Sequence, residues 1–162
     1  MHSMSDFRLT ATPVRLSPLA ELKIAAGEDS TALTTSEWET WVLESPAKGI
    51  FLWQETYHHI EVPEGFMTDF ASIPFFARWW QRGGVGSQRI AAYFHDYMYS
   101  GTDQFSRRQA DAAFYQVMKA IDGSKGWFKR GAMWAALRVG GFFAYRSGQT
   151  KYDKNPSHRL LW

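Results

Sequence analysis

The chain predicts an α+β domain with a small antiparallel sheet in its N-terminal part and three helices in its C-terminal part, two of them paired as an antiparallel hairpin. Three observations carry that expectation. From Phe7 to Val62 short β-leaning stretches alternate with the breakers Pro13, Pro18, Gly27, Pro46 and Gly49. Beyond Ser87 the apolar period changes from two residues to about 3.6. Ser106, followed three residues later by Gln109, matches a capping box and marks a helix start. With 162 residues the chain fits one domain. It divides into a β-rich part over 7–62, a loop over 63–86, a helical part over 87–147 and a tail over 148–162.

Taken in order, strands are predicted at Phe7-Arg8-Leu9-Thr10, Leu22-Lys23-Ile24, Trp38 to Leu43 and Ile50-Phe51-Leu52-Trp53. Tyr57 to Val62 alternates, so His58, Ile60 and Val62 share a face. His58 and His59 are adjacent, point to opposite faces of a strand, and cannot chelate one ion together. Val62-Pro63-Glu64-Gly65-Phe66 has turn chemistry and leads into a loop, Met67 to Pro74. Its Asp69 could face a hard cation or simply close an Asx-turn. Gly83-Gly84-Val85-Gly86 reads as a hinge into a helix capped by Ser87, since no phosphate-loop spacing is present.

In that helix Ile90, Ala91, Phe94 and Met98 make the apolar stripe. On the next, Ala110, Ala113, Phe114, Val117 and Ile121 form the buried face, with Asp111 at its margin. The short connection between them predicts the hairpin and brings the middle of the first helix to the early turns of the second. A third helix is predicted from Lys125 to Arg146, with Trp127, Trp134 and Gly141 in a row that core packing explains best, and with small residues that allow close approach. The tail is polar until Leu160-Leu161-Trp162, which is placed to dock back.

Charged residues make up 21% of the chain and the net charge is +2, with basic residues scattered, which argues against a nucleic-acid surface. Aromatic residues reach 17%, including eight Trp, more than a core of this size needs, so part of that surface is expected to face a partner. The absence of Cys rules out disulfides and thiolate metal sites and fits a reducing compartment. The first residues lack a basic segment followed by an apolar run, so no signal peptide is expected. The longest apolar stretch, Gly131 to Tyr145, contains Arg138 and is too short to span a bilayer, so no transmembrane segment is expected.

The chemistry concentrates in Phe94-His95-Asp96-Tyr97-Met98-Tyr99. On a helix, His95 and Tyr99 lie four residues apart and Asp96 and Tyr99 three, gathering imidazole, carboxylate and phenol beside the apolar stripe. Asp111 on the next helix is within reach of His95. A His oriented by a carboxylate can take a proton from water with its other nitrogen. The same groups can equally form a buried polar network that pins two helices.

Thr68-Asp69-Phe70-Ala71-Ser72-Ile73-Pro74, His95-Asp96-Tyr97-Met98-Tyr99 and Arg108-Gln109-Ala110-Asp111-Ala112-Ala113-Phe114, extended by Val62-Pro63-Glu64-Gly65-Phe66, resemble as a set a phage and prophage family of unknown function, numbered 1353 among such domains. That resemblance implies a phage origin. The same order is similar to the short bacterial phospholipase A2 enzymes, in which a calcium loop precedes a His-Asp-x-x-Tyr helix and a second helix bears an Asp. The second resemblance implies His95 as general base, Asp111 as its orienting partner, Tyr99 as a donor to Asp111, and Asp96 with Asp69 as calcium ligands. It also implies a phospholipid or other envelope ester as substrate. This chain lacks the Cys pairs of those enzymes, and its loop is not their Gly-rich one. Two further roles stay open: a non-catalytic virion or tail-associated protein contacting other virion proteins, and a host-directed binding module using the Trp-rich surface. In each case the protein is expected in the host cytoplasm when made, with packaging in the particle open.

Overall fold

The computed structural model describes residues 7–9, 16–68, 87–100, 104–123 and 126–139. Two three-stranded antiparallel sheets occupy the N-terminal part. The first has the order β1 (Phe7–Leu9), β4 (Ala47–Trp53), β5 (Thr56–Val62); the second pairs β2 (Leu16–Pro18), β3 (Trp41–Leu43) and β6 (Met67–Thr68). Between β2 and β3 come α1 (Leu19–Ala25), a single 3₁₀ turn at Ser30–Ala32, and α2 (Thr35–Glu39). The helical part holds α3 (Ser87–Tyr99), α4 (Arg107–Asp122) and α5, described over residues 127–139.

The expected α+β architecture is present, with four local corrections. Leu22-Lys23-Ile24 is helix rather than strand: it lies inside α1, whose Leu, Ala, Glu and Lys are strong helix formers. The strand expected from Trp38 begins at Trp41, because α2 runs to Glu39. A capping box, with Thr34 N–H donating to Glu37 Oε2 at 2.7 Å and Glu37 N–H to Thr34 Oγ1 at 3.4 Å, starts that helix. Lys23 Nζ then ties α1 to α2 through Glu37 at 2.7 Å. The stretch expected as loop contains β6, which pairs with β3 in the register Trp41↔Thr68. Among the described residues the single sheet expected is two.

β4 and β5 form a two-residue hairpin at Gln54-Glu55, both with positive φ (47° and 62°), the turn hand that suits the strands' twist. Its register sets Phe51 opposite His58, whose rings stack at 5.3 Å. Ile60 and Val62 are buried beside Phe51, whereas His59 is exposed, as alternation requires.

One apolar cluster runs through both halves: Leu43, Phe51, Ile60 and Val62 from the strands, Ala91, Phe94 and Met98 from α3, Ala110, Phe114, Val117 and Met118 from α4, and Met133 and Leu137 from α5. α4 is the shared wall. Its Gln116 is part of the reason: the side-chain amide accepts from Leu52 N–H at 3.0 Å and donates to Leu52 C=O at 2.7 Å, pairing a β4 peptide beyond the end of β1. Gln116→Ala leaves both groups without partners in a part-buried place and is expected to destabilise the fold by about 1 to 3 kcal/mol. Urea denaturation checks it; an unchanged midpoint would mean that water replaces the amide.

The third helix presents a different face from the one expected. Arg130, Met133 and Leu137, spaced by three and four, point inward, while Trp127 is 72% exposed and Trp134 41% exposed. A Cβ added at Gly131 meets nothing within 4 Å, so among the described residues no close helix approach is made there. Ile121, expected on the buried face of α4, is 39% exposed near its end. Gly140, Gly141, Ala144, Tyr145 and the tail lie outside the described residues.

Candidate active site

The capping box at Ser106 is formed as expected: its hydroxyl accepts from Gln109 N–H at 3.3 Å and its own N–H donates to Gln109 Oε1 at 2.8 Å. This start sets the phase of α4, so Ala110, Ala113, Phe114 and Val117 face inward with Asp111 among them. Asp111 is only 1% exposed and lies well inside the face rather than at its margin. From α3, fully buried His95 meets it with Nε2 3.0 Å from Asp111 Oδ1. Tyr99 donates its hydroxyl to the same oxygen at 2.7 Å. Phe114 closes edge-on over the imidazole, ring centres 5.6 Å apart, and Tyr99 leans on it at 3.9 Å.

These contacts assign the proton. An ionised carboxylate only accepts, so His95 carries a hydrogen on Nε2, and in the neutral ring the lone pair is on Nδ1. Nδ1 is buried and makes no hydrogen bond among the described residues. Asp96 Oδ1 stands 3.9 Å from it, beyond hydrogen-bond reach but close enough to act as a charge. Burial lowers the basicity of His95, and the carboxylates of Asp111 and Asp96 more than reverse this, so its pKa is raised. Burial pushes the Asp111 carboxyl up, and hydrogen bonds from His95, Tyr99 and Arg138 outweigh it, holding the group below the usual carboxylate value. Burial and the neighbouring Asp111 raise the Tyr99 phenol far above its ordinary range, so Tyr99 stays a donor.

Three groups enter that sequence reasoning missed. Arg138 Nη1 donates to Asp111 Oδ2 at 3.1 Å. Arg107 Nε stands 3.8 Å from the same oxygen while its Nη2 donates to the carbonyls of Leu137, at 3.2 Å, and Arg138, clasping the end of the described part of α5 to α4. Thr68 donates its hydroxyl to Asp96 Oδ2, linking β6 to α3. Arg107 was legible, four residues before Asp111 on one helix. Arg138 and Thr68 arrive from other elements and left no local signal.

Among the predicted ligands, Asp96 is largely buried, with a side chain 14% exposed, and Asp69 lies outside the described residues. Asp96 and Thr68 are hard oxygen donors of the kind calcium takes, two of the six to eight it needs. Among the described residues no group of three or more His, Cys, Asp or Glu side chains converges as a metal site. No helix among them is long and apolar enough to cross a membrane.

A family model described as a protein of unknown function, DUF1353, matches residues 45–137, more than half of the chain. The chain belongs to the DUF1353 family. In this DUF1353 protein the match takes in β4, β5, β6, α3 and α4 and stops one residue before Arg138, so it covers His95, Asp96, Tyr99, Arg107 and Asp111 together. Comparison with curated proteins and with solved structures finds no match.

Proposed function

We propose that this DUF1353 protein is a phospholipase A2-like hydrolase in which His95 is the general base and a lipid ester of the host envelope the substrate. The observation that carries the reading is the state of the imidazole. Its Nε2 is tied to Asp111, while Nδ1, buried and without a hydrogen bond among the described residues, bears the lone pair of the neutral ring beside Asp96. A base held in one tautomer with one nitrogen to spare is what abstraction of a proton from water requires. His95 Nδ1 takes the proton as the water oxygen adds to the ester carbonyl and gives it to the departing alkoxide as the adduct collapses to fatty acid and alcohol, with Asp111 stabilising the imidazolium in between. Tyr99 and Arg138 hold Asp111 in place, so the dyad does not reorganise during the step. Asp96 and Asp69 would hold calcium, whose charge would polarise an ester carbonyl. A phage origin goes with this reading, synthesis in the host cytoplasm included.

A second reading has its own observation. His95 is fully buried and Asp111 is shared by two arginines, an arrangement that also suits a polar network joining α3, α4 and α5. It belongs with a non-catalytic virion or tail-associated role, or with a binding module whose exposed Trp127 and Phe128 meet a protein partner.

Hydrolysis of phospholipid vesicles, followed by fatty-acid release in calcium and in chelator, separates the two. Release in calcium and none in chelator is the expected result. Thermal melts should show the midpoint rising with calcium by mass action, with Asp96→Asn weakening that rise. No fatty acid released at any calcium concentration, with identical midpoints, would transfer the site to the packing role.

A further inference from the structure

Asp111 divides its oxygens between two sides. Oδ1 serves His95 and Tyr99, whereas Oδ2 faces the guanidinium groups of Arg138 and Arg107. On the Oδ2 side an open cleft of about 260 Å³ is lined by Trp53, Arg108, Asp111, Ala112, Trp134 and Arg138. His95 does not line it. The cleft and the imidazole lie on different sides of the Asp111 carboxylate.

Its charge is unbalanced. Among the described residues three guanidinium groups stand at this corner against one carboxylate, and that carboxylate is already shared with His95. Arg107 is taken up by Asp111 and the carbonyls at the end of the described part of α5. Arg138 gives one nitrogen to Asp111 and lies over the Trp134 ring at 6.0 Å, its side chain 35% exposed. Arg108 is exposed and has no hydrogen bond, ion pair or ring contact among the described residues.

We propose that this cleft binds a phosphate-type oxyanion, gripped by Arg108 from α4 and Arg138 from α5 between the indoles of Trp53 and Trp134. A guanidinium presents a planar fork that matches two oxygens at once. One fork already occupies both oxygens of a carboxylate; two forks from different helices suit a group with three or more. The indole walls take the place of part of the surrounding water, which weakens the screening that makes exposed charge pairs feeble. They also give apolar cover to an organic group carried by the phosphate. The proposal does not depend on His95 acting as a base.

Isothermal titration of the full chain with inorganic phosphate and with glycerol phosphate, against sodium chloride at equal ionic strength, tests it. Vesicles of phosphatidylglycerol and of phosphatidylcholine form the second arm, read by co-sedimentation. Arg108→Gln, which disturbs no hydrogen bond or ion pair among the described residues, should weaken binding about tenfold or more while leaving the melting midpoint in place, and Trp134→Ala should weaken it as well. Binding of the free phosphates assigns a soluble ligand. Binding of vesicles alone, lost in Arg108→Gln, assigns a lipid headgroup. Equal affinity in wild type and Arg108→Gln, displacement by chloride, or no binding in either arm overturns the proposal.

Discussion

Asp111→Ala is expected to destabilise this protein by about 3 to 5 kcal/mol, the largest effect of any single substitution in the helical part. One carboxylate accepts from His95, Tyr99 and Arg138 and stands beside Arg107. Its removal strands the buried donors of His95 and Tyr99 and leaves two guanidinium groups without their carboxylate. Asp111→Asn keeps the volume and one acceptor oxygen but loses the charge, so a smaller loss is expected. Urea unfolding of the three proteins gives the order directly. If Asp111→Ala matched wild type, the network would be a consequence of packing and not a contributor to it.

Asp111 also gives that stability a pH dependence. Because its folded pKa lies below the ordinary carboxylate value, the contribution is complete above the unfolded pKa, about 4, and is lost as pH falls through the folded value. The wild-type midpoint should therefore fall on acidification below that point. In Asp111→Asn this part of the fall should be missing. Parallel slopes for the two proteins between neutral and acid pH would assign the loss to other carboxylates.

His95→Gln is expected to lower lipid-ester hydrolysis about a hundred- to ten-thousandfold, the usual worth of a positioned general base. The amide can still donate to Asp111, and its volume is close to that of imidazole, so the fold should change little. It has no basic nitrogen to replace Nδ1. Fatty-acid release is the activity readout, and a melt on the same samples shows whether the protein is folded. Equal turnover by wild type and a folded His95→Gln would end the catalytic reading, leaving His95 as a buried contact between α3 and α4.

The sequence alone determined the features that depend on near neighbours along the chain. The capping box at Ser106 is a contact between residues three apart, and it sets the face that α4 turns inward. The stripe of Ala91, Phe94 and Met98 puts His95 on the same side of α3 as Tyr99. Given both helices and a short connection, the meeting of His95, Tyr99 and Asp111 followed from periodicity. Thr34 and Glu37 carried an equally local signal for α2, overlooked because Trp38 to Leu43 looks β-leaning throughout.

Tertiary structure decided what depends on competition between distant partners. Helical period offers α5 more than one apolar row, and the row with Met133 and Leu137 is buried because it fits the core, leaving the larger Trp127 and Trp134 outside. A turn without glycine closes β4 on β5 because a full ladder from Ala47↔Val62 to Trp53↔Thr56 outweighs positive φ at Gln54 and Glu55. Arg138 reaches Asp111 from 27 residues away, and Thr68 reaches Asp96 from 28. Such contacts carry no periodic or spacing signature. They exist because a buried carboxylate must find donors wherever the folded chain supplies them, and only the packing of β6 and α5 against the helix pair supplies these.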